Sequence, residues 1–292
     1  MATGDSRRVV IAALLANLGI AAAKAVAAVF TGSGAMLAET IHSLADSGNQ
    51  ALLLLGAARA QRPADRRHPF GYGSERYFWA FIVALVLFAL GSLFSLFEGV
   101  EKLLHPAEIR HAHWAYGVLG VSLVLEILSF RVARREVDIE RRGRSFRRYF
   151  LDTKDPALPL VYLEDLGALL GLVFALLGVM GAHLLGWRLA DGIATVLIGL
   201  LLGAIAVVLL ARCHRLLIGE GASAEDETSI REAVARVPGV VEILDLKTLQ
   251  LGPEYLIVGL EVRLSERGVV RAVEAAVRDA VPKARYVAIE PA

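Results

Sequence analysis

From Val9 to Ala211 the chain is a succession of long apolar stretches, and this feature restricts its fold more than any other. Backbone immersed in lipid must satisfy its polar groups within its own segment, so such stretches become helices. A membrane-spanning helix needs about 20 mostly apolar residues. Six stretches meet or approach that requirement: Val9–Phe30, Gly34–Ala57, Phe78–Phe97, Trp114–Phe130, Ala157–Leu185 and Leu189–Ala211. The second is the poorest, because Glu39, His42, Asp46, Asn49 and Gln50 interrupt it. The fifth carries Glu164 and Asp165 and is long enough to tilt or to begin before the bilayer. Val9–Phe30 exceeds a secretory signal core and leads straight into another span, so it reads as a span and not as a cleavable signal. At 56% hydrophobic residues and with Cys213 as the only cysteine, disorder and a disulfide scaffold are excluded.

Lysine and arginine set the orientation. One side collects Arg7 and Arg8, then Arg59, Arg62, Arg66, Arg67 and Arg76, then a dense loop from Arg131 to Lys154 that holds Arg134, Arg135, Arg141, Arg142, Arg144, Arg147 and Arg148. The other side has only Lys102, Arg110 and Arg188. Both termini are therefore expected on the cytoplasmic side, in agreement with an even number of spans. The basic loop suits anionic headgroups. Nucleic-acid binding would want aromatic interleaving or a folded module, and a net charge of +1 adds no support, so no nucleic-acid partner is expected.

Beyond Arg212 the pattern becomes that of a soluble domain. Ser223-Ala224-Glu225-Asp226 resembles a capping box and opens a helix that runs to Val237 before Pro238-Gly239. Strands are predicted at Val240–Leu251 and Tyr255–Leu264 around a Gly252-Pro253 turn, followed by a helix at Gly268–Val281 and a strand at Ala284–Ile289. The expected architecture is an all-α membrane bundle of six transmembrane helices (1–211), a linker (212–222) and a cytoplasmic α+β domain (223–292). So short a tail buries a limited core, which favours pairing with a second copy.

An acid at the bilayer centre costs about 2.5–3.5 kcal/mol on insertion scales, so it marks a functional candidate. Glu39, His42, Asp46 and Asn49 fall within about 80° of one another on a helix, a face that cannot look at lipid. At 1.5 Å per residue, Asp46 and Asp165 both lie roughly 12 Å from the cytoplasmic boundary of a 30 Å core. Imidazole and carboxylate ligands from two helices suit a divalent transition metal, with tetrahedral zinc the leading choice, although a proton pathway would use the same residue types. Lys24 and Asn17 are expected to pair with neighbouring helices or to snorkel, and Glu126 to pair with arginines beyond the inner interface. Glu98 and Asp191 lie near outer helix ends, where hydration is cheap.

These residues resemble a known family. Ala38-Glu39-Thr40-Ile41-His42-Ser43-Leu44-Ala45-Asp46 is similar to the second-span signature of the cation diffusion facilitator transporters, and the stretch from Arg62 to Gly73 resembles the loop that follows it. Thr31-Gly32-Ser33 and Ala190-Asp191-Gly192 also fit, and Tyr162-Leu163-Glu164-Asp165 is similar to the branch whose animal member is called zinc transporter nine. The resemblance implies a homodimeric divalent-cation/proton antiporter, commonly exporting zinc from the cytoplasm, with a ferredoxin-like dimerising tail. It implies ligands at His42, Asp46 and Asp165. The family's remaining ligand position falls at Val161, which cannot ligate, and Glu164 stands beside it as a substitute ligand, proton acceptor or structural partner. Glu39 and Asn49 are expected to support these ligands. Accessory metal positions of some relatives are not matched: His68 persists, but Tyr72 stands four residues later.

No resident cofactor is called for, since the metal is cargo. A carrier for manganese, iron or cobalt is the nearest alternative, because Glu164 would favour harder ions. A membrane enzyme lacks support, with no HExxH pair and no GxSxG elbow. A non-transporting scaffold would be indifferent to changes at His42 and Asp46. Alanine- and arginine-rich usage suggests a bacterial inner membrane.

Overall fold

The computed structural model describes residues 18–32, 34–106 and 112–292. The first half of the predicted first span with Asn17, and also Arg7, Arg8, Ser33, Arg110 and His111, lie outside the described residues. Helices α1 (Leu18–Thr31), α2 (Gly34–Ala60), α3 (Glu75–Leu104) and α4 (Ala112–Glu140) come first in the chain. After them come the short α5 (Phe146–Asp152), then α6 (Ala157–Leu184) and α7 (Ala190–Ile218). Among the described residues, α3, α4, α6 and α7 are long and apolar enough to cross a membrane. They expose large apolar side chains such as Val121, Val124, Leu200 and Val207, the inverse of a water-facing surface.

The apolar run ends near the predicted Phe130, yet α4 continues to Glu140, so Arg131, Arg134 and Arg135 lie on a helix and not in a loop. Asp138 explains part of the extension, pairing with Arg134 at 3.8 Å and Arg141 at 2.7 Å across single helical turns. Left-handed backbone at Arg142 and Gly143 (φ 45° and 79°) then stops it. Ser145 caps α5 by accepting from the Arg148 N–H.

The chain divides into two compact units. The first comprises the described residues up to Leu55 with Ala80–Gly143 and Ala157–Ala211. Here small residues let helix backbones approach. A Cβ on Gly99 of α3 would sit 2.7 Å from the Val196 backbone nitrogen of α7, and one on Gly199 would sit 2.8 Å from Leu96. A π-helical turn at Leu87–Leu93 brings the Ser92 hydroxyl to the Gly199 carbonyl at 2.8 Å. Gly178 and Gly181 of α6 meet Ala194 and Ala190 of α7 in the same way.

The second unit comprises Gly56–Trp79, Arg144–Pro156 and Arg212–Ala292. Its sheet has the order β1-β2-β3, from β1 (Val240–Gly252), β2 (Tyr255–Leu264) and β3 (Ala284–Pro291). β1 and β2 form an antiparallel hairpin, and β3 returns parallel to β2 through helix α9 (Val270–Ala280), preceded by α8 (Ala224–Ala235). The hydroxyl of Ser223 caps α8 as the capping box predicts. The second helix starts later than predicted, behind a tight turn at Arg267–Val269, and β3 runs on to Pro291. Leu256, Val258, Leu260 and Val262 alternate inward from β2 and pack on Ile230, Val234, Val273 and Val277.

Two chain segments join this sheet. Ser74 donates to the Leu251 carbonyl at 2.9 Å, and Gly73 lies so close to Gly252 that a Cβ there would be 2.9 Å away. Asp65 folds the preceding loop, accepting from the N–H groups of Arg67 and His68 and from the Tyr72 hydroxyl at 2.7 Å. That hydroxyl and the two N–H groups hold the Asp65 carboxyl below its ordinary range. Glu220 accepts from Lys154 at 2.8 Å and Arg212 at 2.6 Å, while Arg215 lies at 3.0 Å.

Candidate functional site

Helix α2 is too polar to face lipid, and its polar face is covered from both sides. Glu39, His42 and Asn49 are fully buried. Lys24 of α1, itself fully buried, lies 3.3 Å from a Glu39 oxygen and donates to Ser43 at 2.7 Å. Pairing, not snorkelling, is therefore the outcome for Lys24. The other Glu39 oxygen occupies the space that a Cβ on Gly171 of α6 would need. Glu39 thus spends its charge on Lys24 and packs on α6.

His42 and Asp46 sit one turn apart, with Nε2 3.5 Å from the Asp46 carboxylate. Both ring nitrogens of His42 and one oxygen of Asp46 are buried without a hydrogen-bond partner among the described residues. On α6, Glu164 is buried and accepts from the Asn49 amide at 2.6 Å. Asp165 accepts from the Ser129 hydroxyl of α4 at 3.0 Å. That bond is possible because α4 packs along α6, where Phe130 also meets Tyr162 at 5.2 Å between ring centres.

Asp46, Glu164 and Asp165 line one cavity of about 260 Å³, together with Ser43, Gln50, Ser129 and Val161. The two aspartates that the depth arithmetic sets at one level thus face the same space. His42 is not on its wall but stands behind Asp46. Among the described residues, no three His, Cys, Asp or Glu side chains converge as metal ligands would. Asn49 and Ser129 hold two of the carboxylates in place, so closing round an ion requires rearrangement.

Sequence reasoning misplaces one acid. Glu126 does not pair with arginine but lines the cavity beside Asp46 and Asp165. The available signal is its spacing: Glu126 and Ser129 lie three residues apart on one helix face, and Ser129 holds Asp165. With Glu126 the cavity has four carboxylates on its wall. Lys24, the buried cation nearby, is engaged by Glu39. Such a site can accept a cation, protons, or each in turn.

Comparison with known proteins agrees with this chemistry. The chain is 36% identical over 250 residues to the proton-coupled zinc antiporter SLC30A9, mitochondrial, of Xenopus laevis, a match covering 85% of this chain and 45% of the relative. Identity to the human protein of that name is 33%, covering 85% and 44%. Metal tolerance protein C4 of Arabidopsis thaliana is 31% identical, covering 85% and 55%. The chain spans about half the length of the curated relatives it matches. The family model described as the cation efflux transmembrane domain matches residues 10–218, a stretch that includes α2, α4 and α6 and every residue of the cavity wall. A membrane protein with these helices, this acid-lined cavity and that match belongs to the cation efflux family.

Proposed function

We propose that the protein is a proton-coupled antiporter that exports a divalent metal cation, zinc first, from the cytoplasm. The observation that carries this reading is the cavity shared by Asp46, Glu164 and Asp165, with His42 3.5 Å from Asp46 and without a hydrogen bond. The relatives named proton-coupled zinc antiporters support it. His42, Asp46 and Asp165 bind the ion with Glu164, while Glu39 and Asn49 position them.

Metal ligands must be deprotonated, so proton and metal compete for one site. An ion entering from the cytoplasm displaces protons. After the bundle rocks, protons arriving from the other side displace the ion and reset the carrier. Release of Glu164 from Asn49 and of Asp165 from Ser129 is the local rearrangement that loading requires.

In this reading α1 and α2 complete six spans, both termini are cytoplasmic, and the bilayer is a bacterial inner membrane. Residues 1–211 form the transport domain and 223–292 a ferredoxin-like domain through which two copies pair. The helix–strand–strand–helix–strand order of the tail supports the ferredoxin-like reading.

Zinc flux with internal pH recording in proteoliposomes tests the proposal, for wild type and Asp46→Ala. Zinc movement coupled to opposite proton movement, lost in the variant, is the expected result. Full transport by Asp46→Ala would falsify the site assignment. Carboxylates outnumber imidazole at the cavity, which favours a second reading, a carrier of manganese, iron or cobalt. A competition series separates the two.

A further inference from the structure

Helix α4 turns a largely apolar surface outward, with Val121, Val124 and Leu128 exposed, yet Glu126 among them lines the cavity. The other three carboxylates of that wall each face a partner: Asp46 faces His42, Glu164 takes the Asn49 amide and Asp165 takes the Ser129 hydroxyl. Glu126 makes no hydrogen bond or ion pair with any described residue.

An acid inside the bilayer is costly, and three more acids on the same wall raise that cost by repulsion. A cation or a bound proton must offset it. Lys24 cannot be that cation, being held by Glu39 and Ser43. A second observation also points to a cation. His42 is fully buried, has no hydrogen-bond partner on either ring nitrogen, and faces the Asp46 carboxylate of the wall.

From this geometry we infer that Glu126 is a ligand of the translocated ion. Its carboxylate joins those of α2 and α6, so that three helices close on the cation. Ser129, three residues further along α4, holds Asp165 until Glu126 engages the ion and then releases it. The inference rests on the antiport reading and adds a ligand to that site.

The test is titration calorimetry of the full chain in nanodiscs with Zn²⁺ and with Mn²⁺, for wild type, Asp46→Ala, Glu126→Ala and Glu126→Asp. The ion-free melting temperature of each is recorded alongside. Glu126→Ala is expected to weaken Zn²⁺ binding about tenfold or more, and Mn²⁺ binding further because a carboxylate is a hard donor. Glu126→Asp recovers most of both, and the ion-free melting temperature of Glu126→Ala does not fall. Wild-type affinities in Glu126→Ala, where Asp46→Ala binds neither ion, would overturn the inference and leave the antiport reading intact. Equal losses for both ions with a lowered ion-free melting temperature would assign Glu126 to packing and overturn it too. No binding and no flux in the wild type would remove the antiport reading itself, and this inference with it.

Discussion

Lys24 and Glu39 show what a single residue can and cannot reveal. Each reads from the sequence as a charge that needs a partner within the bilayer, but which one it finds depends on the rotation of two helices. The structure joins them and presses Glu39 onto Gly171. Removing one member strands the other, at a cost of about 3–5 kcal/mol for a buried pair. Lys24→Met should therefore lower the melting temperature of the detergent-solubilised protein sharply, and Lys24→Met with Glu39→Gln should regain much of the loss. Equal melting of the single and double variants would show that the pair contributes little. Gly171 in isolation reads only as a small residue in an apolar helix. That a carboxylate fills its Cβ position is a fact of tertiary packing.

Elements were more legible than their contacts. Apolar run length places α3, α4, α6 and α7, because a helix in lipid is dictated by local hydropathy. Period-two alternation places β2 with its predicted bounds, Tyr255–Leu264. Ends defined by charge are harder, and α4 outruns its apolar run through its Asp138 ion pairs. The pairing of α3 with α7 is not visible in hydropathy, since lipid and protein neighbours are equally apolar. It depends on small residues, with Gly199 against Leu96 and Gly99 against Val196. Gly199→Leu should push the two helices apart at a cost of about 1–3 kcal/mol, read as a fall in melting temperature. Gly117 of α4, where an added Cβ would meet nothing within 4 Å, should accept Ala with little change. Similar losses in both would contradict the packing argument.

At the scale of the whole molecule, the chain builds one of its compact units from three separated segments, and Glu220 ties the second of them to the third. Its carboxylate meets Lys154 and Arg212, and its carbonyl accepts from the Gln250 N–H of β1 at 2.8 Å. Burial pushes the Glu220 pKa up, but the hydrogen bonds from Arg212 and Lys154 outweigh it and leave the pKa below the ordinary 4.5. A depressed acid stabilises the fold fully above its unfolded value and loses that contribution as pH falls through the folded value. Glu220→Gln should thus lower stability near pH 7, and the gap to wild type should narrow as pH falls below 4.5. A gap independent of pH would assign the loss to shape and not to charge. The sequence by itself determined the apolar helices, the succession of helices and strands in the tail and the presence of acids where lipid forbids them, because hydropathy and periodicity act locally along the chain. Only the tertiary structure decided that Lys24 serves Glu39, that Glu126 joins the cavity and that distant segments share one unit. Those outcomes depend on which helix faces which, and at what rotation, and no local stretch of sequence carries that information.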